Sequence, residues 1–588
     1  MPELPNMPPS GARPGYPPAL GRSVADVADR SQRLVRDWLA RQSHEAQPIN
    51  AAQVASAFLD MTAQLMRDPT RVVRAGIGFW QDYMTLWQSS ARRMWGMDAP
   101  PVISAAPGDR RFDGEAWNSS EVFGFIKQSY LLSARYIQDV TGGSAGLDSQ
   151  TAQRVDYYAR QFIDAMSPAN FLLTNPEALR RTAETGGENL LRGLSNLLGD
   201  LERGRGRLLA GAGPSRLGQD VAATPGKVVF QNRLMQLIQY APATEQVLRR
   251  PLLIVPPWTG KFYVLDLQPR SSMIRWAVSQ GHTVFCISWV NPDESVADAG
   301  FEDYVRDGLL AALGAIADAT GEQEVNAAGY SVGGTLLAAA LAAMGDARIR
   351  SVSLFATMLD FTEAGGLGVF MDEEGLRCLE ERPAACGGMA TQTGMLRAND
   401  LIWSFVVNTY LLGAEPFPFD LLHWNADATR LPAALHGFYL RRIYQENLLR
   451  VPGGLTLLGQ PVDLGRVIIP AYALATREDH IAPWTSTYRG AALLGGERRF
   501  VLAGSGHVAG VVNPPKGGRY SHWIGGALPD TPEEWLAGAT EMAGSWWPDW
   551  HRWVLAQDAA TVPARVPGAG GLPALEDAPG SYVMVRTA

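Results

Sequence analysis

From about residue 24 to about 201 the apolar positions recur at helical spacing. Beyond residue 227 they gather into short continuous runs separated by helical stretches. Between about Val24 and Ala99, Phe79, Trp80, Tyr83, Leu86, Trp87 and Met94 fall three, four or seven places apart, with Arg92 and Arg93 among them. That spacing predicts a helix with an apolar face, which either packs on its own domain or is offered to a partner or a hydrophobic granule. Asp113–Leu132 and Ala152–Phe162 predict further helices. Ser167-Pro168-Ala169-Asn170 breaks the second, and Asn175-Pro176 opens another that runs to about Leu201.

After Lys227, the runs Lys227–Phe230 and Leu234–Tyr240 predict an antiparallel hairpin. Leu252–Val255 and Thr283–Trp289 are almost wholly apolar, as strands buried on both faces are. Ser272–Gln280 between them reads as a helix and closes a strand-helix-strand unit. A long helix over Phe301–Thr320 and a short buried strand over Glu324–Ala328 follow, then an Ala/Leu-rich helix over Thr335–Met344 and strands over Ser351–Leu359, Val467–Leu474 and Phe500–Leu502. Strands alternating with helices predict an α/β architecture on a parallel sheet. The alternation lapses over about 361–465, where Trp403, Phe405, Tyr410, Phe417, Phe419, Trp424, Phe438 and Tyr439 stand in a helix-rich interval. An insertion of that size at the edge of a sheet is expected to be a lid.

Composition sets the outer limits. A chain of 588 residues with 46% hydrophobic content should hold more than one globular domain. Residues 1–20 are dense in proline and glycine and are expected to be disordered; a helical N-terminal domain should cover 21–205, a Gly-rich linker 206–226, a catalytic domain 227–560 and a tail 561–588. The net charge of 51 − 59 = −8 argues against nucleic acid as a partner. No apolar run is long enough to span a bilayer, no signal pattern opens the chain, and Cys286, Cys378 and Cys386 form no C-x-x-C pair, so a cytoplasmic protein is expected. Tryptophans cluster at 80, 87 and 95 and again at 546, 547, 550 and 553, a pattern expected of core packing.

Candidate chemistry centres on Gly329-Tyr330-Ser331-Val332-Gly333-Gly334, a G-x-S-x-G turn between a strand and a helix. In such a nucleophile elbow Ser331 projects into a cleft with the Val332 N–H beside it as an oxyanion donor. An α/β-hydrolase needs an acid and then a histidine downstream. Asp479 follows the strand ending near Leu474, and its short arm makes it a better acid than Glu478; His507, flanked by Gly506, follows Phe500–Leu502. His507 would take the Ser331 proton while Asp479 fixes its other ring nitrogen. His480, Tyr330 and Asp266 are assigned supporting or substrate-binding roles. A second oxyanion donor must come from Trp258, Thr259 or Gly260, because Pro256 and Pro257 have no N–H. No H-E-x-x-H, P-loop or G-x-G-x-x-G pattern stands in a fitting context, and no metal site is expected.

From about Asp109 to Arg586 the chain resembles the class I poly(3-hydroxyalkanoate) synthases, polyester-forming relatives of lipases. The resemblance is carried by Asp109-Arg110-Arg111-Phe112, Ser167-Pro168-Ala169-Asn170-Phe171, Val255-Pro256-Pro257 and Leu265-Asp266-Leu267-Gln268-Pro269. It continues through Ser288-Trp289-Val290-Asn291-Pro292-Asp293, Trp424-Asn425-Ala426-Asp427, Arg477-Glu478-Asp479-His480-Ile481, Gly506-His507, Ser545-Trp546-Trp547-Pro548 and Pro579-Gly580-Ser581-Tyr582. It implies polymerisation of (R)-3-hydroxyacyl-CoA, with CoA entering as part of the substrate and no separate cofactor. It also implies an N-terminal domain concerned with homodimerisation and association with polyhydroxyalkanoate granules and their proteins. The resemblance places the nucleophile at Ser331, the acid at Asp479 and the base at His507. The chain departs from the family at one of these positions: the family pattern is G-x-C-x-G, and a serine stands at 331. Serine is the usual nucleophile of hydrolysis, so a depolymerase or thioesterase is the alternative enzyme, and a catalytically silent granule protein the alternative outside enzymes.

Overall fold

The structure is a computed structural model and describes residues 61–62, 69–106, 109–142, 149–202, 216–345, 347–363, 365, 403–414, 420–427, 429–517 and 520–586. The expected disordered N-terminus, residues 206–215 of the expected linker and residues 366–402 of the expected lid lie outside these residues.

The N-terminal region is helical, with helices at Pro69–Met94, Glu121–Thr141, Ser149–Ala165, Pro176–Glu184 and Glu188–Glu202. The one helix expected beyond Asn175 is two, because Gly186 and Gly187 both turn with positive φ (58° and 89°), a conformation that costs glycine little. Asn175 caps the first of them, accepting from the N–H groups of Glu177 and Ala178. The aromatic helix Pro69–Met94 turns both of its possible faces to use. Leu86 is fully buried, and Phe79 and Trp87 lie against Tyr136 and Phe125, while Val73, Ile77, Trp80 and Met84 stay exposed.

Beyond residue 225 the chain forms β1 (Gly226–Gln231), β2 (Met235–Tyr240), β3 (Gln246–Leu248), β4 (Leu252–Val255) and β5 (Val284–Trp289). It continues with β6 (Val325–Tyr330), β7 (Ile349–Phe355), β8 (Thr456–Leu457), β9 (Gln460–Pro461) and β10 (Ala471–Thr476). The last are β11 (Arg498–Ala503), β12 (His522–Ile524), β13 (Thr540–Met542), β14 (Thr561–Pro563) and β15 (Glu576–Asp577). Eleven of these form one sheet in the order β13-β12-β11-β10-β7-β6-β4-β5-β2-β1-β15. The middle, from β11 to β5, is parallel. Antiparallel strands close both ends.

Alternate residues of the buried strands serve two separate cores. Val255 and Ala327 join the helices Phe301–Thr320 and Val332–Met344 on one face; Ile254 and Ala328 join Ile274, Trp546 and Trp550 on the other. Trp546, Trp547 and Trp550 are enclosed, as core packing requires, but Trp80, Trp87 and Trp95 are exposed: the expectation of core packing fails for that cluster, because their helix has only its Leu86 side packed against the neighbouring helices.

Several boundaries differ from those predicted, each for a local reason. The run expected to be a strand from Val467 starts at Ala471, because Pro470 has no N–H to give a ladder, and Ile468 faces solvent. The strand expected to reach Leu359 stops at Phe355, where Ala356 turns with φ 46°. The helix over Phe301–Thr320 is wound more loosely at Tyr304–Leu310, where Gly308 lies so close to the Trp289 ring that a Cβ would be 2.6 Å from it. The strands β12 and β13 have three residues each and no apolar run to announce them. The Pro/Gly-rich C-terminal residues fold back on the α/β region: β14 pairs with β3 in a separate two-stranded sheet, β15 pairs with β1 at the edge of the large one, and the Tyr582 hydroxyl donates to the Asn232 carbonyl at 2.7 Å.

Candidate active site

Parallel strands end on one edge of the sheet, and ligands gather outside that edge. The loops after β4, β6, β10 and β11 all leave there. At the end of β6, Ser331 takes φ 52° and ψ −126° and starts the helix Val332–Met344. A non-glycine residue keeps such a conformation only where its surroundings force it. Here small neighbours do so. A Cβ at Gly329 would collide with the Gly334 backbone, one at Gly333 with the carbonyls of Val255 and Pro256, and one at Gly334 with Thr357. The Ser331 N–H donates to the Phe355 carbonyl at 2.8 Å, and its own carbonyl accepts from Gly334 N–H at 2.9 Å. As the first residue of the helix, Val332 has an N–H with no partner inside it.

His507 comes from the turn after β11. Helix Trp547–Gln557, packed on the sheet face that Ile254 and Ala328 share, grips that turn through the Trp546 indole N–H on the Gly510 carbonyl and the Trp547 indole N–H on the Val511 carbonyl, both at 2.9 Å. His507 Nε2 lies 3.1 Å from Ser331 Oγ, and Nδ1 lies 2.7 Å from Asp479 Oδ2. The Tyr330 ring stacks on the imidazole at 5.3 Å, and its hydroxyl donates to the His507 carbonyl at 3.2 Å.

Asp479 sits in the turn after β10 with its carboxylate saturated. Oδ1 accepts from the N–H groups of Ile481 (2.9 Å) and Ala482 (2.8 Å), and Oδ2 also accepts from Thr476 Oγ1 at 2.7 Å. Burial pushes its acidity towards the neutral form, but His507 and these donors outweigh that and hold the carboxyl below the usual range. A carboxylate on Nδ1 keeps the proton on that nitrogen and leaves Nε2 bare to receive one from Ser331.

The other residues singled out from the sequence lie elsewhere. His480 is exposed beside Asp479. Asp266 is buried away from the relay; its carboxylate accepts from Thr224 Oγ1 and Ser272 Oγ, both at 2.6 Å, and so ties the entry to β1 to the helix Met273–Ser279. The Trp258 ring is wedged among Phe301, Tyr304 and Tyr439, leaving Thr259 and Gly260 as the half-buried part of its loop.

Residues 251–514 match the family model for the alpha/beta hydrolase fold, and residues 108–277 match that for the N-terminus of poly-beta-hydroxybutyrate polymerase (PhaC). A poly(3-hydroxyalkanoate) polymerase of Methylorubrum extorquens is 50% identical to this chain, over 91% of each. The poly(3-hydroxyalkanoate) polymerase subunit PhaC of Rhizobium meliloti is 46% identical, over 97% of this chain and 95% of its own. That of Cupriavidus necator is 43% identical, over 91% and 92%. The chain belongs to the poly(3-hydroxyalkanoate) polymerases. The family resemblance carried by its motifs and the α/β-hydrolase fold are both borne out.

Within this polymerase, some residues that shape the site escape a search for catalytic types. Thr476, three places before Asp479, shows only the spacing of a local side-chain bond, and Thr357, which packs on Gly334, shows no sequence signal at all. Among the described residues of the polymerase no group of histidine, cysteine and acidic side chains could hold a metal, and no helix is long and apolar enough to cross a membrane.

Proposed function

We propose that this polymerase builds polyhydroxyalkanoate from (R)-3-hydroxyacyl-CoA through an acyl group carried on Ser331. The observation that carries this reading is the unbroken line of hydrogen bonds from Ser331 through His507 to Asp479, in a chain of the polymerase family. His507 Nε2 accepts the Ser331 proton as Oγ attacks the thioester carbonyl. The Val332 N–H and one donor from Trp258–Gly260 hold the oxyanion. Its collapse breaks the C–S bond, and CoA leaves with the proton held by His507. The 3-hydroxyl of a second monomer or of a chain end then gives its proton to His507 and attacks the Ser331 ester, which frees the serine and lengthens the chain. CoA is thus substrate and product, and no other cofactor takes part.

A serine ester is less activated than the thioester a cysteine would form, so the second step is the slower for this chain. Exchange of one ester for another is nearly neutral in energy, and CoA release drives the sequence. The serine is also the one feature that favours a second reading, hydrolysis by water in place of the hydroxyl. Action at cytoplasmic granules by a homodimer belongs to the proposal too, supported by the exposed Val73, Ile77, Trp80 and Met84 of the N-terminal helix.

Incubation with 3-hydroxybutyryl-CoA, measuring CoA, polymer and free acid together, tests these readings. CoA and insoluble polymer are expected from the wild type, faster polymer growth from Ser331→Cys, and neither product from Ser331→Ala. Free acid without polymer would establish hydrolysis, and undiminished turnover by Ser331→Ala would remove Ser331 from the chemistry.

A further inference from the structure

Lys261 directly follows Trp258–Gly260, the stretch to which the proposed mechanism gives the second oxyanion donor, and its side chain is buried, with only 5% of the residue exposed. An ammonium is kept out of water only where fixed partners replace the water. Nζ lies 2.7 Å from Asp427 Oδ1 and donates to the Val583 carbonyl at 2.7 Å. The second carboxylate oxygen of Asp427 accepts from the Tyr263 hydroxyl at 2.9 Å. The Trp424 N–H donates to the Lys261 carbonyl at 2.8 Å, and a Cβ on Gly260 would stand 2.8 Å from the Trp424 ring. The start of the same helix, Asp420–Ala426, is held where Asp420 accepts from Ser271 Oγ at 2.8 Å.

Three segments far apart in the chain therefore meet at one ammonium: the loop after β4, the helix of the aromatic insertion, and the turn Tyr582–Met584. The loop's other end is anchored separately. The Trp289 N–H holds the Pro256 carbonyl at 2.9 Å, and Gly333 of the elbow helix lies against Val255 and Pro256. Trp258–Gly260 are thus strung between a sheet-side anchor and Lys261. An oxyanion donor is effective only when held to within a few tenths of an ångström. A buried ion pair adds little to stability over an apolar pair of the same volume; what it specifies is geometry.

We propose that Lys261 and Asp427 are a positioning pair that aligns the Trp258–Gly260 backbone donor on the carbonyl attacked by Ser331, so that acyl transfer is fast only while the Asp420–Ala426 helix is seated. The pair touches no reacting atom, and its role rests on the acyl-enzyme reading of Ser331.

The test measures CoA release from 3-hydroxybutyryl-CoA by the full-length protein, with folding followed by circular dichroism. Lys261→Met is expected to lower kcat about tenfold or more at a KM within about twofold, because the donor acts on the transition state. Lys261→Arg should recover part of the loss. Asp427→Asn should add little on top of Lys261→Met, since either change opens the same contact. Lys261→Met/Asp427→Leu leaves no unpaired buried charge, should fold, and should remain slow. A wild-type kcat in this folded double variant, or a rise in KM alone, would overturn the proposal. If Ser331→Ala is inactive while the double variant keeps full kcat, the pair alone is refuted; if Ser331→Ala still turns over, the acyl-enzyme reading falls and the pair's role with it.

Discussion

Asp479 is buried, yet ionised, because four groups face it with the right polarity: two backbone N–H groups, a threonine hydroxyl and the His507 ring. Its folded value lies below the usual one, so the stability it contributes is fully present above the ordinary carboxylate value of about 3.9 and is lost as the pH falls through the folded value. Asp479→Asn keeps the shape but offers Nδ1 no carboxylate, so the imidazole loses the tautomer it needs. The expected result is a fall in kcat of about 10³–10⁴ with little change in KM, measured as CoA release; a fall of less than tenfold would show that the carboxylate is dispensable. At this scale the sequence was informative about Ser331, Asp479 and His507, because each follows a recognisable apolar run. Asp266, given a supporting or substrate-binding role from the sequence, is bonded to Thr224 and Ser272, contacts that no local pattern shows.

Among the elements, helix Trp547–Gln557 does the most to hold the site while contributing nothing to its chemistry. Its Asp549 accepts from Arg499 at 2.6 Å and from the Tyr472 hydroxyl at 3.1 Å, which fixes the helix across β10 and β11, the strands that deliver Asp479 and His507. The Trp546 and Trp547 N–H groups then hold the His507 turn. Trp546→Phe keeps most of the buried ring but orphans the Gly510 carbonyl. It should cost about 1–3 kcal/mol in a denaturant titration, and activity should fall more than that loss of stability explains. Unchanged activity in the folded variant would mean that the turn holds itself. The tryptophan cluster at 546–553 points to core packing, but not to a helix or to the loop it grips, since an indole N–H reaches whatever carbonyl the fold places opposite.

Across the whole molecule, the N-terminal helices bear on the insertion that flanks the active site. Asn189 Nδ2 donates to the Leu411 carbonyl at 2.7 Å, and Asn196 Nδ2 to the carbonyls of Thr409 and Ala414 at 3.2 Å each. Gly193 between them lies so close to Tyr410 that no side chain would fit. Gly193→Val together with Asn189→Ala should speed hydrogen exchange over residues 403–414 and leave β4, β6 and β7 as protected as before; equal exchange in both proteins would show that the contact restrains nothing. The helices between residues 69 and 202, the α/β alternation and the order of serine, acid and histidine at one sheet edge are legible in the sequence, because they depend on local period and on the rule that parallel strands end together. Which charges are buried in pairs depends instead on packing between segments far apart in the chain. Lys261 reads locally as an ordinary solvated lysine, and its partners Asp427 and Val583 stand up to 322 residues away. No periodicity connects such positions; they meet because packing the insertion and the C-terminal turn on the sheet leaves that ammonium no water to face.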